Sequence, residues 1–275
     1  MSQVTLVTSR DNPLIQRLRK LSQDPAAYRK LGEIWLEGDH LCSAALVRKV
    51  AIGTAVIAES AWLGEGGLGA SHDPQAVRLS DLARQARKII VVPQALWNGF
   101  TGLESPARIG FLVSMEALAG EGGRMVAQAG LRTVVLDRLQ DAGNVGSILR
   151  SASALGVQQV VALKGTAALW SQKVLRAGMG AHFALNLVEQ LEPDALGELQ
   201  VPLIATSSHA DFSLHQAPLP DPCAWVMGHE GQGVLAAVMA QCQYTVSIPQ
   251  PGGEESLNVA AAAAVVLYES LRRRL

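Results

Sequence analysis

From Thr133 onward the chain alternates short apolar strands with helical stretches, and this alternation most constrains what it can fold into. Strands that are apolar along their whole length are buried on both faces, and strands separated by helices pair in parallel through crossovers. Thr133–Leu136, Val157–Leu163, Phe183–Val188, Val201–Thr206, Ala224–Met227 and Tyr244–Ile248 carry the strand pattern. Helices are expected between them at 146–155, 171–177, 194–199 and 233–241, and a last one at 256–273. The expected architecture is α/β with a mostly parallel sheet covered on both faces.

The N-terminal part is organised differently. Asn12 is a candidate N-cap, Pro13 suits the first helical position, and Leu14, Leu18 and Leu21 recur at helical spacing. A second helix is expected over 39–49. Thr54–Ala58, Val77–Leu79, Ile89–Val92 and Gly110–Met115 read as strands, with a helical pattern over Leu82–Lys88. Residues 1–115 therefore predict a small α/β domain, residues 116–131 a glycine-containing linker with a short helix, and residues 132–275 a second α/β domain.

Composition narrows the class. With 49% hydrophobic and 17% charged residues among 275, the chain can bury two cores. The longest apolar run, Val259–Tyr268, is about half of what a bilayer requires. The start lacks a basic stretch followed by an apolar one, so no signal peptide is expected. Cys42, Cys223 and Cys242 are too scattered for a disulfide framework or a zinc site, and no metal is expected. A cytoplasmic location is accordingly expected. Net charge is −1, yet residues 1–30 hold six basic side chains against two acidic ones. Arg10, Arg17, Arg19 and Lys20 are candidate phosphate contacts, although a solvated helix face would use the same residues.

Three segments sit where a strand hands over to a loop, the end at which open α/β sheets bind ligands. In the first, Leu136–Ala152, Asn144 stands near the expected helix start and Arg150 in its first turns, so free N–H groups and a guanidinium would form a phosphate-binding corner. Plain capping by Asn144 and pairing of Arg150 with Asp137 or Asp141 is the alternative. The second is Gly228-His229-Glu230-Gly231-Gln232-Gly233, whose glycines suggest a close backbone approach to a ligand around a loop carboxylate; an ordinary tight turn competes. The third runs from Ile248-Pro249 to Ser256-Leu257-Asn258-Val259 and enters an alanine-rich helix, where N-capping by Ser256 is the plain explanation. A further run, Gly64-Glu65-Gly66-Gly67-Leu68-Gly69, matches a dinucleotide fingerprint. It is expected to be a flexible loop, because Ala70-Ser71-His72-Asp73-Pro74 after it does not read as a helix start.

Asn144-x-Gly146-x-Ile148-x-Arg150, Gly228-x-Glu230-Gly231-x-Gly233 and Ile248-Pro249…Ser256-Leu257-Asn258-Val259, in this order and spacing, resemble the three motifs of the SpoU/TrmH family of RNA ribose 2′-O-methyltransferases. Ser9…Asn12-Pro13 and Leu36-Glu37-Gly38 more loosely resemble the substrate-binding domain often joined to it. The resemblance implies a catalytic domain with a C-terminal trefoil knot of the SPOUT type and an N-terminal domain like a small RNA-binding ribosomal protein. It also implies a homodimer whose sites use both subunits. Thr206, Gly228, Gly231, Ile248 and Leu257 would hold S-adenosylmethionine, and Asn144, Arg150, Glu230, Ser256 and Asn258 would form the reaction corner. Arg150 would hold a phosphate rather than act as a base, because a guanidinium does not readily lose its proton; Glu230 would orient Arg150 or accept a proton.

The chain departs from the family in two places. Asp141-Ala142 stands where Asp-Pro is common, and Gln250-Pro251 where a more apolar pair is usual. Ribosomal RNA is the expected substrate. Transfer RNA, and a non-catalytic assembly factor on the same fold, are the alternatives; an NAD-dependent oxidoreductase lacks a credible fingerprint.

Overall fold

The computed structural model describes residues 3–101, 107–119, 125–207, 210–252 and 257–275. The chain divides into two compact units: Met1–Arg124 with Trp170–Arg176, and Met125–Leu169 with Ala177–Leu275.

The first unit holds strands β1 (Gln3–Leu6), β2 (Glu33–Glu37), β3 (Thr54–Ala58), β4 (Lys88–Val92) and β5 (Ile109–Ser114) in the order β1-β4-β3-β5-β2. β1, β4 and β3 are parallel, and β5 runs antiparallel to β3 and β2. Its helices are α1 (Pro13–Gln23), α2 (Ala27–Leu31), α3 (Asp39–Val47), α4 (Pro74–Ala83), α5 (Gln94–Trp97) and α6 (Met115–Leu118). Asn12 caps α1 by accepting from Leu14 N at 2.9 Å, and Pro13 opens it. The face that packs is Ile15, Leu18 and Leu21, so Leu14 is not part of the buried row.

The expected strand at Val77–Leu79 is instead inside α4. Asp73 caps that helix, Pro74 starts it, and Ala76, Leu79, Ser80 and Ala83 bury one face at helical period. Strands β1 and β2 add to the strands expected from the sequence. The Gly64–Gly69 run does not open a helix; it folds around Trp62, whose ring nitrogen donates to Glu65 O at 3.1 Å, and a Cβ on Gly64 would lie 2.7 Å from that ring. Its glycines serve this packing.

The second unit is one seven-stranded sheet, every pairing parallel, in the order β10-β12-β9-β11-β6-β7-β8. The strands are β6 (Thr133–Leu136), β7 (Gln159–Leu163), β8 (Asn186–Leu191), β9 (Leu203–Thr206), β10 (Phe212–Ser213), β11 (Ala224–Met227) and β12 (Tyr244–Ser247). Central β6 and β11 are buried at every residue, as their unbroken apolar sequence requires. Four more helices complete the chain: α7 (Ala142–Ala154), α8 (Gln172–Gly178), α9 (Ala236–Met239) and α10 (Val259–Arg272). Phe183 falls in a short 3-10 turn rather than in β8, and the expected helix at 233–241 shrinks to the single turn of α9. Gly146 lets α7 approach closely: a Cβ there would overlap Ala177 and come within 2.8 Å of Gly178 N. No helix among the described residues is long and apolar enough to cross a membrane.

One buried group ties stability to pH. His182 is 1% exposed, with Nε2 hydrogen-bonded at 2.9 Å to Leu169 O. Burial pushes its pKa down to about 4 from 6.5, outweighing that bond. The unfolded chain protonates first, so the stabilisation is complete above about pH 6.5 and disappears as pH falls towards 4, by about 3 kcal/mol in all. Urea unfolding at pH 7 and 4.5 checks this. A drop in stability that is no smaller in His182→Gln would remove His182 as its source.

Candidate functional site

Three loops at the carboxyl ends of β6, β11 and β12 build the site, all within the second unit. In the first, Asp141 and not Asn144 caps α7: its Oδ1 accepts from Asn144 N at 2.7 Å. Asn144 is thus the third residue of the helix, with its side chain free for other work. Arg150 lies more than two turns in, exposed and away from the free N–H groups of the helix start. Among the described residues the Arg150 side chain makes no hydrogen bond or ion pair. Asp137 is taken by Arg138, so the expected pairing of Arg150 with Asp137 or Asp141, and a phosphate corner shared with the helix start, are not formed.

At the third loop, Asn258 caps α10: its Oδ1 accepts from Ala260 N at 2.9 Å and Ala261 N at 3.3 Å. Ser256, expected as the cap, lies outside the described residues. Capping leaves the Asn258 amide one orientation, so its Nδ2 donates to Asn144 Oδ1 at 3.0 Å. That in turn leaves Asn144 Nδ2 to donate to Glu230 Oε1 at 3.2 Å. A directional chain thus runs from the start of α10 through two amides to a carboxylate, linking three motifs far apart in sequence.

The Glu230 carboxyl is held ionised. Partial desolvation pushes its pKa up, but its own backbone N–H, Asn144 Nδ2 and the N–H groups of Asp141 and Gln140 outweigh this and set it below the ordinary glutamate value. Glu230 therefore faces Asn144 rather than Arg150, and a carboxylate so well solvated by donors is a weak proton acceptor.

The glycines of the second loop have a structural reason. His229 and Gly233 exchange backbone hydrogen bonds at 3.0 and 2.9 Å, Gly233 has φ +69°, and a Cβ on Gly228 would sit 2.5 Å from Gly233 C. The close approach is of the loop to itself. Sequence reading missed what anchors it. Fully buried Asp137 accepts from Leu235 N at 2.6 Å and from Arg138 Nε at 2.8 Å, while Arg138 Nη1 donates to Gln232 Oε1 at 3.0 Å and Nη2 to Gly233 O at 3.3 Å. A carboxylate directly after a buried parallel strand, beside an arginine, was the available signal.

Next to this cluster lies a cavity of about 420 Å³. Thr206, Ile248 and Leu257 line it with Ser247 and Gln250, whereas Gly228 and Gly231 do not. The volume suits a small-molecule ligand, and apolar walls flanked by hydroxyl and amide groups suit a nucleoside. A larger open groove of about 790 Å³ in the first unit, beside Leu46, His72 and Arg78, gathers none of the expected site residues. No group of three or more metal-ligating side chains occurs among the described residues.

Ala142 occupies the first position of α7, where proline is well tolerated, and Asp141 has the extended backbone (φ −75°, ψ 115°) that a residue before proline prefers. Ala142→Pro is expected to stabilise the chain by about 0.4–1 kcal/mol by restricting the unfolded state. Thermal unfolding checks it; a lowered midpoint would contradict this geometry.

A parallel α/β sheet with a polar cluster at its carboxyl edge, beside a nucleoside-sized cavity at the ends of β9 and β12, defines a ligand-binding domain. Residues 132–268 match the model of the SpoU rRNA Methylase family. The chain is 31% identical to an uncharacterized tRNA/rRNA methyltransferase of Synechocystis, over 99% of this chain and 96% of that protein. It is 30% identical, over 71% of each, to a 23S rRNA (uridine-2′-O)-methyltransferase of Streptomyces viridochromogenes. The SpoU methyltransferase AviRb from that organism, solved with AdoMet, superposes with a TM-score of 0.81 at 26% identity, covering 96% of this chain and 98% of that one. The chain belongs to the SpoU rRNA methylase family and has the SpoU methyltransferase fold.

Proposed function

We propose that this protein is an S-adenosylmethionine-dependent ribose 2′-O-methyltransferase of ribosomal RNA. The observation that carries the reading is the hydrogen-bonded chain Asn258–Asn144–Glu230 beside a cavity lined by Thr206, Ile248 and Leu257. Relatives named as 23S rRNA 2′-O-methyltransferases, and a similar structure solved with AdoMet, support the same chemistry.

When bound, S-adenosylmethionine supplies a methyl group on an electrophilic sulfonium. Thr206, Ser247 and Gln250 would take its polar groups and Ile248 and Leu257 its flat ring, with Gly228 and Gly231 shaping the loop alongside. Asn144 and Asn258, locked by the N-terminus of α10 and by Glu230, would hold the ribose hydroxyl in line; positioning of this kind can contribute about 7–11 kcal/mol. Glu230 fixes Asn144. Arg150, exposed and without a side-chain partner among the described residues, would grip the phosphate of the target nucleotide in the site of a partner subunit, which makes a homodimer the working form. Ser256 would complete the corner.

The reading extends to a trefoil knot in the C-terminal part, to residues 1–115 as an RNA-binding domain resembling a ribosomal protein, to a linker at 116–131 ahead of the catalytic domain, and to a cytoplasmic enzyme. Arg10, Arg17, Arg19 and Lys20 remain candidate RNA contacts, but Arg17 pairs with Glu33 at 3.0 Å and Arg19 donates to Gly99 O at 3.2 Å, which lowers what they offer a phosphate. The deciding experiment incubates the purified protein with S-adenosylmethionine and rRNA from cells lacking it, and maps 2′-O-methylation. A single new methylated ribose is the expected result; cofactor binding without any transfer would favour the assembly-factor alternative.

A further inference from the structure

The first unit carries a cationic surface at the amino ends of its parallel strands, away from the basic residues of α1. α3 ends at Val47, and Lys49 turns the chain back in left-handed backbone (φ +57°), its N–H donating to Leu46 O at 2.9 Å. The segment then reaches β3, where Arg87 N donates to Ile52 O at 3.2 Å and Lys88 N to Gly53 O at 3.1 Å; Lys88 also pairs in register with Thr54 of β3 and Gln3 of β1. Residues 48–54 and 84–88 therefore lie side by side. Together they hold Arg48, Lys49, Arg84, Arg87 and Lys88 and not one acidic residue.

Arg84 is engaged with Asp81 at 2.8 Å. The other four are exposed, and among the described residues none makes an ion pair or a side-chain hydrogen bond. Like charges on adjoining loops repel one another, and no described carboxylate pairs with these four, so the patch favours a polyanion brought close to it. By contrast Arg17 and Arg19 are engaged, and Arg10 follows the other, carboxyl end of β1.

We propose that Arg48, Lys49, Arg87 and Lys88 form a phosphate-binding surface for the RNA substrate. The inference rests on the reading of this protein as an RNA methyltransferase. Such contacts grip the backbone, set the orientation of a folded RNA and carry no base specificity.

The test uses the full chain with all four residues changed to Gln. Exposed side chains without partners can be replaced with little effect on folding, so the melting temperature and S-adenosylmethionine affinity should match wild type. Affinity for in vitro transcribed 23S rRNA is expected to fall tenfold to a hundredfold at about 0.15 M salt, and the slope of log K against log salt to flatten by about 2–4. Arg17→Gln/Arg19→Gln should change either quantity by less. Unchanged rRNA affinity and slope in the fourfold variant would overturn the proposal while wild-type methyl transfer stands. Loss of binding to phosphatidylserine vesicles with rRNA binding intact would overturn it in favour of an anionic lipid surface. Absence of methyl transfer by the wild type is a different result, and counts against the functional reading instead.

Discussion

Asn144→Asp is expected to lower methyl transfer by about a hundredfold, and adding Glu230→Gln to restore most of it. Asn144 Nδ2 is the donor to Glu230 Oε1, and Asn144 Oδ1 accepts from Asn258. An aspartate keeps the second bond but faces Glu230 with a like charge, which displaces one side chain or forces a proton onto the pair. Hundredfold corresponds to about 2.7 kcal/mol, within the usual range for removing one positioned donor. In the double variant the polarity is reversed. The new amide at position 230 donates to the new carboxylate at position 144, which still accepts from Asn258. Every bond is then satisfied, with a coupling of about 2 kcal/mol between the two changes. Initial rates on rRNA for both single variants and the double check this. If the double variant is no better than the worse single one, the amide chain does not set the geometry of the reaction corner.

Arg150→Ala is expected to abolish activity more completely, by about a thousandfold in kcat/KM, with S-adenosylmethionine affinity within twofold of wild type. A guanidinium on a target phosphate makes charge-assisted, two-pronged bonds that nothing nearby can replace. Because Arg150 forms no hydrogen bond with the Asn144 cluster of its own chain, a two-fold dimer with shared sites predicts complementation. Mixing equal amounts of Arg150→Ala and Asn144→Asp under exchange should return about a quarter of wild-type activity, since half the dimers are mixed and each of those has one intact site. No recovery on mixing, with exchange verified, would place each site within one chain.

The parts of this protein that are buried on all sides were legible in its sequence. β6 and β11 run as continuous apolar segments because both faces are covered, and the helix starts at Asn12-Pro13 and at Asp39 reflect local backbone chemistry. Elements whose identity depends on neighbours were not. β1 is a four-residue edge strand with Val4 and Leu6 exposed, so its short polar/apolar alternation does not mark a buried face, and Val77–Leu79 looks like a strand until Asp73 and Pro74 are seen to start a helix. At the site, the three motifs can be picked out by their residue types, yet those types point the capping to Asn144 and Ser256. Asp141 and Asn258 cap the two helices instead. Several residues in each loop are able caps, and only the path of the chain selects one.

By itself, the order of residues determined that a parallel sheet forms, that three strand-end loops carry the polar groups, and which family those loops resemble, because burial and helix starts are properties of short segments. Only the tertiary structure decided that Asn258 donates to Asn144 and Asn144 to Glu230, that Asp137 and Arg138 brace the glycine loop, and that Arg150 stands apart. Hydrogen-bond direction passes from one side chain to the next across more than a hundred residues of chain, and no local pattern encodes which groups will meet.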